Sequence, residues 1–177
     1  MTGPAPAARP RVVLVGPMGA GKTTVGGALA EAWGVTLRDT DQDVEAAEGR
    51  PVSEIFVDEG EDYFRDRERE AVLAALAEHD GVLALGGGAV LDPRTREALA
   101  GHAVVFLRVG FADAVKRVDL GQGRPLLLGN VRSRVKQLLD ERLPLYLEVA
   151  AVVVDTDGRT VDEVVAAVQD AVAEVAP

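Results

Sequence analysis

The chain has 177 residues, with 19 Lys+Arg against 29 Asp+Glu, a net charge of −10, and no cysteine. The lack of Cys excludes a disulfide framework, a thiolate metal site and a thiol nucleophile, and such a chain does not depend on an oxidising compartment. The acidic balance argues against a general nucleic-acid binder but leaves room for a locally basic pocket.

An apolar fraction of 47% and a charged fraction of 27% fit one soluble domain. With 4% aromatic residues the core must be built from Ala, Val and Leu. No apolar run approaches the ~18 residues of a membrane span. Residues 1–10 are rich in Ala and Pro and lack an apolar stretch, so they read as a disordered leader rather than a signal peptide. Residues 11–177 read as a single domain, and the expected location is cytoplasmic.

Val12 to Val15 is a short apolar run ending at Gly16, the signature of a buried strand. Lys22 to Trp33 follows as a helix, with Val25, Leu29, Ala32 and Trp33 at helical spacing and Gly34 as its stop. Val35 to Leu37 is a weak second strand that runs into Arg38, Asp39, Thr40 and Asp41. Residues 41–79 are helical and charged, and Gly49, Pro51 and Gly60 divide them into three pieces. A third strand, Val82 to Leu85, ends in Gly86, Gly87 and Gly88. Asp92 and Pro93 open a short helix as N-cap and first residue, running to about Ala100.

Ala103 to Val109 is the fourth strand, and 112–118 is helical. Gly121, Gly123 and Gly129 mark a mobile stretch, and a helix runs from about Val131 to Glu148. Ala150 to Val154 is the fifth strand. The last helix carries Val161, Val164, Val165, Val168 and Val172 as an apolar stripe. Continuous apolar strands alternating with helices predict an α/β fold, a parallel sheet covered on both faces. Ligands bind beyond the carboxyl ends of such strands. Three strand ends here carry chemistry: Gly16 to Thr23, Asp39 to Asp41, and Gly86 to Gly88.

Gly16-Pro17-Met18-Gly19-Ala20-Gly21-Lys22-Thr23 fits G-x-x-x-x-G-K-[ST] in full. Glycines let backbone N–H groups close around phosphate oxygens, and the following helix aims its dipole at the anion. Lys22 can reach the β- and γ-phosphates, and the Thr23 hydroxyl can bind Mg²⁺. Strand before and helix after is the context that separates this motif from a structural turn. A guanine-specific switch needs an N-K-x-D segment, yet the only asparagine, Asn130, precedes Val131. The string Asp155-Thr156-Asp157-Gly158 lies after the last strand and reads as a turn. A small-molecule kinase is therefore preferred over a GTPase switch.

Other residues have plain structural readings beside functional ones. Asp41 can cap the helix that follows it, with Glu45 near capping-box spacing. Asp39 can be a solvated turn carboxylate. Arg65 sits in the charged run Glu59 to Glu70, usually a solvated helix face. Arg117 can be an exposed helix arginine. His79 and His102 read as structural, Trp33 as packing of the first helix, and Phe56 and Phe64 as core or pocket wall.

The chain resembles the shikimate kinase family from about Val12 to Val172. The segments that carry the resemblance are Gly16–Thr24, Asp39-Thr40-Asp41, Phe64-Arg65 with Glu68, Gly86-Gly87-Gly88, and Arg124-Pro125-Leu126 followed by Arg142-Leu143-Pro144-Leu145-Tyr146. The resemblance implies a P-loop NTPase three-layer sandwich with a five-stranded parallel sheet, a substrate-binding subregion at about 41–79 and a mobile lid at about 119–131. It implies ATP-dependent phosphorylation of the 3-hydroxyl of shikimate, with Mg²⁺, by a monomer. Lys22, Asp41 and Arg124 are implied as catalytic, Asp41 as base or orienter of the hydroxyl. Gly19, Ala20, Gly21, Lys22, Thr23, Thr24, Arg117 and Arg124 are implied to bind ATP, with Arg117 on the adenine. Asp41, Arg65, Gly86, Gly87, Gly88 and Arg142 are implied to bind shikimate, the two arginines clamping its carboxylate and Glu68 fixing Arg65. Thr23 and Asp39 are implied at the metal. The chain departs from the family in having Val161 where a proline is expected against adenine, and in lacking a tyrosine near 131–135.

Overall fold

The computed structural model describes residues 8–120 and 131–175. Five parallel strands, β1 (Val12–Val15), β2 (Leu37–Asp39), β3 (Val82–Ala84), β4 (Val104–Arg108) and β5 (Val152–Asp155), lie in the order β2-β3-β1-β4-β5. Successive side chains on a strand point to opposite faces, so a run apolar at every position needs cover on both sides. The helices supply it. Val12 and Leu14 of β1, with Val105 and Leu107 of β4, pack into a core formed with α1 (Lys22–Trp33) and α8 (Val161–Val175). Val13, Val15, Val104 and Phe106 pack into a second core with α4 (Glu61–Glu78), α5 (Pro93–Ala98) and α7 (Val131–Val149). The remaining helices are α2 (Thr40–Glu48), α3 (Val52–Glu59) and α6 (Phe111–Leu120). A small third cluster, Val44, Ile55 and Phe64, joins α2, α3 and α4 beside the sheet.

Two strands are displaced from the expected positions. β2 starts at Leu37 rather than Val35, because Val35 N–H instead closes the end of α1 on Ala30 O at 2.9 Å. The strand's register comes from pairing with β3, Leu37 against Val82 and Asp39 against Ala84. β5 likewise runs on to Asp155, which pairs with Arg108 across the ladder through two contacts of 2.6 and 3.0 Å. Apolar content alone does not reveal such a charged final rung.

The caps also differ. Asp39, not Asp41, caps α2: its Oδ1 accepts from Asp41 N–H at 2.8 Å and Gln42 N–H at 3.4 Å. Glu45 does not close that cap and instead accepts from Val52 N–H at the start of α3. Asp92 caps α5 through Arg94 N–H, with Pro93 in the first turn as expected. Val161 is 40% exposed, so the buried stripe of α8 begins at Val164. His79 is structural: its Nε2 lies 3.1 Å from Thr36 O and 2.9 Å from Val82 O, tying the end of α4 to β2 and β3. Residues 1–7 of the expected leader and 121–130 of the expected lid, Arg124 among them, lie outside the described residues.

Gly81 sets how closely β2 approaches β3. A Cβ there would overlap Thr36 O and lie 3.2 Å from Thr36 N, both backbone atoms. Gly81→Val is expected to cost about 2 kcal/mol or more in urea unfolding, because backbone cannot yield as a side chain can. Gly27 of α1 is open: a methyl group added there would meet nothing within 4 Å. Gly27→Ala is therefore expected to raise stability by about 0.5–1 kcal/mol.

Candidate functional site

The strand order brings the ends of β2, β3 and β1 side by side, and their three loops form one cleft. The β1 loop is pulled tight: Gly16 packs under Leu107 O, which a Cβ would approach to 2.7 Å. Gly19 and Gly21 have φ of 81° and 89°, which suits glycine. Lys22 Nζ donates to Gly16 O at 2.6 Å and Pro17 O at 3.0 Å, so the ammonium lies along the loop rim. α1 begins at Gly21 without a side-chain cap, and its first turn, including Lys22, Thr23 and Thr24, presents backbone N–H groups suited to an anion. Ala20 N–H, by contrast, closes a turn on Pro17 O at 3.1 Å. Arg117 of α6 crosses the loop and donates to Gly19 O at 2.7 Å, with Thr156 Oγ1 at 3.5 Å. It is therefore half-buried against the loop rather than a free surface arginine.

At the end of β2, Asp39 spends one oxygen on the α2 cap, and its Oδ2 lies 3.5 Å from Thr23 Oγ1. Because Asp39 caps, Asp41 is released to point inward over Gly86. Its Oδ1 is buried without a hydrogen-bond partner. Burial, then the neighbouring Asp39, pushes the Asp41 carboxyl up to about 6, while Lys22 and Arg65 pull it down. Thr40, fully buried, accepts from Gly86 N–H at 3.4 Å and links this corner to the third loop.

The resemblance implies that Gly86, Gly87 and Gly88 let a ring approach backbone amides. The structure gives them a second task, which is space for the site's own side chains. A Cβ at Gly86 would sit 2.5 Å from Asp41 Oδ1, and one at Gly88 would land on the Arg65 guanidinium. One at Gly87 would lie 3.6 Å from Gly16 O on one side and 3.7 Å from Arg142 Nη1 on the other.

Beyond the glycines opens a cavity of about 580 Å³ between α2–α4 and α7. Arg65 donates from Nη1 to Glu68 Oε1 at 2.8 Å and pairs with Glu61 at 3.4 Å. Its guanidinium lies 5.3 Å from the Phe64 ring centre and 5.8 Å from that of Phe56. Both rings line the cavity wall. Glu68 is only 2% exposed. Burial pushes its carboxyl up to about 7, against the pull of Arg65 and Arg142 and with a further push from Asp41. Arg142 enters from α7, and the Nε of Arg65 and of Arg142 are both buried without partners. Two guanidiniums with donors left over make a site for a carboxylate.

Tyr146, one turn after Arg142, has no separate role in the sequence reading. Its hydroxyl donates to Gly87 O at 2.5 Å, and its ring stacks on Phe106 with centroids 4.9 Å apart. Burial pushes its phenol up to about 12. The available signals are its i,i+4 spacing from Arg142 and its place in the Arg142–Tyr146 segment that carries the resemblance. Thr40 is likewise missed, since a buried threonine beside an aspartate leaves no periodic trace.

Comparison with known proteins identifies the family. The shikimate kinase family model matches residues 18–173. A shikimate kinase of Salinispora arenicola is 63% identical over 154 residues, 87% of this chain and 92% of that protein. One from Frankia casuarinae is 61% identical over 163 residues, 92% of this chain and 72% of that protein. The solved structure of shikimate kinase from Acinetobacter baumannii in complex with shikimate superposes with a TM-score of 0.88 at 35% identity, covering 94% of each chain. A phosphate loop, a paired-arginine pocket and a match that runs through both place this chain in the shikimate kinase family.

Proposed function

We propose that the chain transfers the γ-phosphoryl group of ATP to the 3-hydroxyl of shikimate, giving ADP and shikimate 3-phosphate. The observation that carries this is the shared wall at Gly87, with the phosphate loop on one side and the Arg65–Arg142 pocket on the other. An anionic acceptor held by two arginines is thereby placed beside the phosphates of a nucleotide. The P–O bond to ADP breaks, the hydroxyl oxygen forms the new P–O bond, and the hydroxyl proton passes by way of Asp41 to water.

Gly19, Gly21, Lys22, Thr23 and Thr24 hold the phosphates, Ala20 closing the turn that shapes the loop, with Lys22 swinging from the loop carbonyls onto them. Arg117, braced on Gly19 O, faces the adenine. Arg65 and Arg142 grip the carboxylate. Asp41 accepts a hydrogen bond from the attacking hydroxyl and orients it. Transfer of this kind rests on positioning and charge stabilisation. Among the described residues no group of three or more His, Cys, Asp or Glu forms a metal cage. The Thr23 hydroxyl and Asp39 carboxylate, 3.5 Å apart, do fit Mg²⁺, a hard ion that takes its other ligands from water and phosphate. When bound, Mg²⁺ supplies charge neutralisation on the phosphates. We assign a monomeric, cytoplasmic enzyme. The acidic surface supports solubility, and no helix among the described residues is long and apolar enough to cross a membrane.

Coupled ADP release with shikimate tests the reading directly, and turnover with another acceptor but none with shikimate overturns it. Lys22→Ala is expected to lower kcat by about 100-fold or more. Arg142→Ala is expected to raise KM for shikimate at least about tenfold, as loss of a charge-assisted pair should, with KM for ATP nearly unchanged. Equal loss of both would refute the clamp. Tyr146→Phe removes the bond to Gly87 O and is expected to raise KM for shikimate several-fold, with far-UV circular dichroism unchanged.

The pH dependence follows from Glu68. Its carboxyl, about 7 in the folded chain, is charged above that pH and then holds the Arg65 fork. Below it, protonation of Glu68 weakens the grip, and Asp41, at about 6, is neutralised only at the bottom of the range. KM for shikimate is therefore expected to rise as pH falls from 8 to 6. In Glu68→Gln it should be high already at pH 8 and rise further only near pH 6, where Asp41 takes up its proton. A wild-type profile as flat as the variant's would remove Glu68 from the clamp.

A further inference from the structure

One cation in the acceptor cavity is used neither by the proposed clamp nor by the nucleotide. Arg134 of α7 lines the cavity together with Leu138 and Arg142, at i, i+4 and i+8 on one helix face. A helix rise of about 1.5 Å per residue puts its backbone ~12 Å from that of Arg142. Arg134 thus sits two turns along the helix from Arg142, and its guanidinium is held by Gln137 of its own helix. Arg134 is half-buried, and its Nη1 donates to the neutral Gln137 Oε1 at 3.1 Å, which in turn bonds Glu141. Among the described residues it is in no ion pair, unlike Arg65. The smaller recess beside the phosphate loop is lined by Val135, Leu138 and Leu139 from the same helix, and Arg134 does not reach it.

The opposite wall explains what such a cation is for. α2–α4 bring Glu45 and Glu61 to the cavity lining, beside Asp41 and Glu68. Residues 41–70 as a whole hold twelve acidic and four basic side chains. An acceptor bearing a carboxylate must pass this negative rim before it reaches Arg65 and Arg142. Repulsion between like charges in a narrow, low-dielectric cleft lowers the rate of encounter, and a single opposed cation restores it.

We propose that Arg134 is a positioning residue at the cavity mouth, drawing the anionic acceptor past the acidic wall of α2–α4. The inference rests on the shikimate reading given above. Arg134 acts on capture, so its loss lowers kcat/KM for the acceptor and spares turnover at saturation.

The test compares wild type with Arg134→Gln, Arg134→Lys and Arg134→Glu by steady-state kinetics on shikimate at about 20 mM and 500 mM salt, where the Debye length shortens from tens of ångströms to a few. At low salt Arg134→Gln is expected to lower kcat/KM for shikimate about three- to tenfold, with kcat and KM for ATP unchanged. Arg134→Lys should retain most of the wild-type value, and Arg134→Glu should fall further than Gln. High salt should bring all four together. An unchanged kcat/KM in Arg134→Gln, a loss that persists at high salt, an equal loss in kcat, or failure of Lys to substitute would each overturn the proposal. If wild type turns over shikimate normally while the variants do not differ, only this inference falls. If wild type does not use shikimate at all, the proposed function falls and this inference with it.

Discussion

The phosphate loop and the acceptor cavity are separated by one thickness of backbone, at Gly87. In-line phosphoryl transfer needs the attacking oxygen within about 3–3.5 Å of phosphorus, which a wall of one backbone thickness permits. The constraint reaches outward through the structure. Gly86 and Gly88 must also be bare, because Asp41 and Arg65 occupy the volumes their side chains would fill. Three glycines at a strand end are flexible on their own and must be held from outside. Thr40 takes the N–H of Gly86, and Tyr146 takes the carbonyl of Gly87. Tyr146 is in turn fixed by its stack on Phe106 of the central sheet. The position of the catalytic wall is thus inherited from the core.

The same closeness sets the electrostatics. Asp41, Glu68, Arg65 and Arg142 share a cavity and leave Asp41 Oδ1 and the Nε of both arginines without partners. Raised values for both carboxyls mean that the folded chain resists their ionisation, burial outweighing the arginines. A folded carboxyl above its ordinary value stabilises the fold below that ordinary value, and the contribution is lost as pH rises through about 6 to 7. At neutral pH the ionised acids are therefore held at a cost, while the Nε atoms of Arg65 and Arg142 remain as unused donors. Site residues held at a cost to stability are the usual trade for activity.

How far the sequence was legible depended on whether a residue's role left a local pattern. The phosphate loop is a contiguous string with a strand before it and a helix after it, so its position and partners could be anticipated. The two-faced core was equally visible, because Val12 to Val15 is apolar at every position. Strand ends were not. β2 is set by hydrogen bonds to β3 and β5 by the Arg108–Asp155 rung, neither of which shows as hydrophobicity. The Asp39–Asp41 pair shows the limit most clearly. Two aspartates flanking a helix start are equivalent as text, and only the backbone turn decides that Asp39 caps and Asp41 faces the cavity. Tyr146 and Thr40 act through long-range bonds to glycine backbone, 59 and 46 residues away, which leave no sequence period to detect.

Charge is divided along the same lines as the cleft itself. Net charge of −10 describes an envelope, and it is uneven: residues 108–142 hold eight basic and four acidic residues, whereas 41–70 are strongly acidic. Across the acceptor cavity, Arg134 and Arg142 of α7 face the acids of α2–α4. The acidic wall has structural partners of its own, since Glu68 pairs with Arg65 and Asp41 packs over Gly86. Its cost is repulsion of the very anion the cavity is built to receive. Basic residues on the facing helix offset that repulsion without entering the acidic wall, where they would be neutralised as ion pairs. The cleft thus keeps its acids on one wall, with Arg65 paired among them, and two further cations, Arg134 and Arg142, on the other.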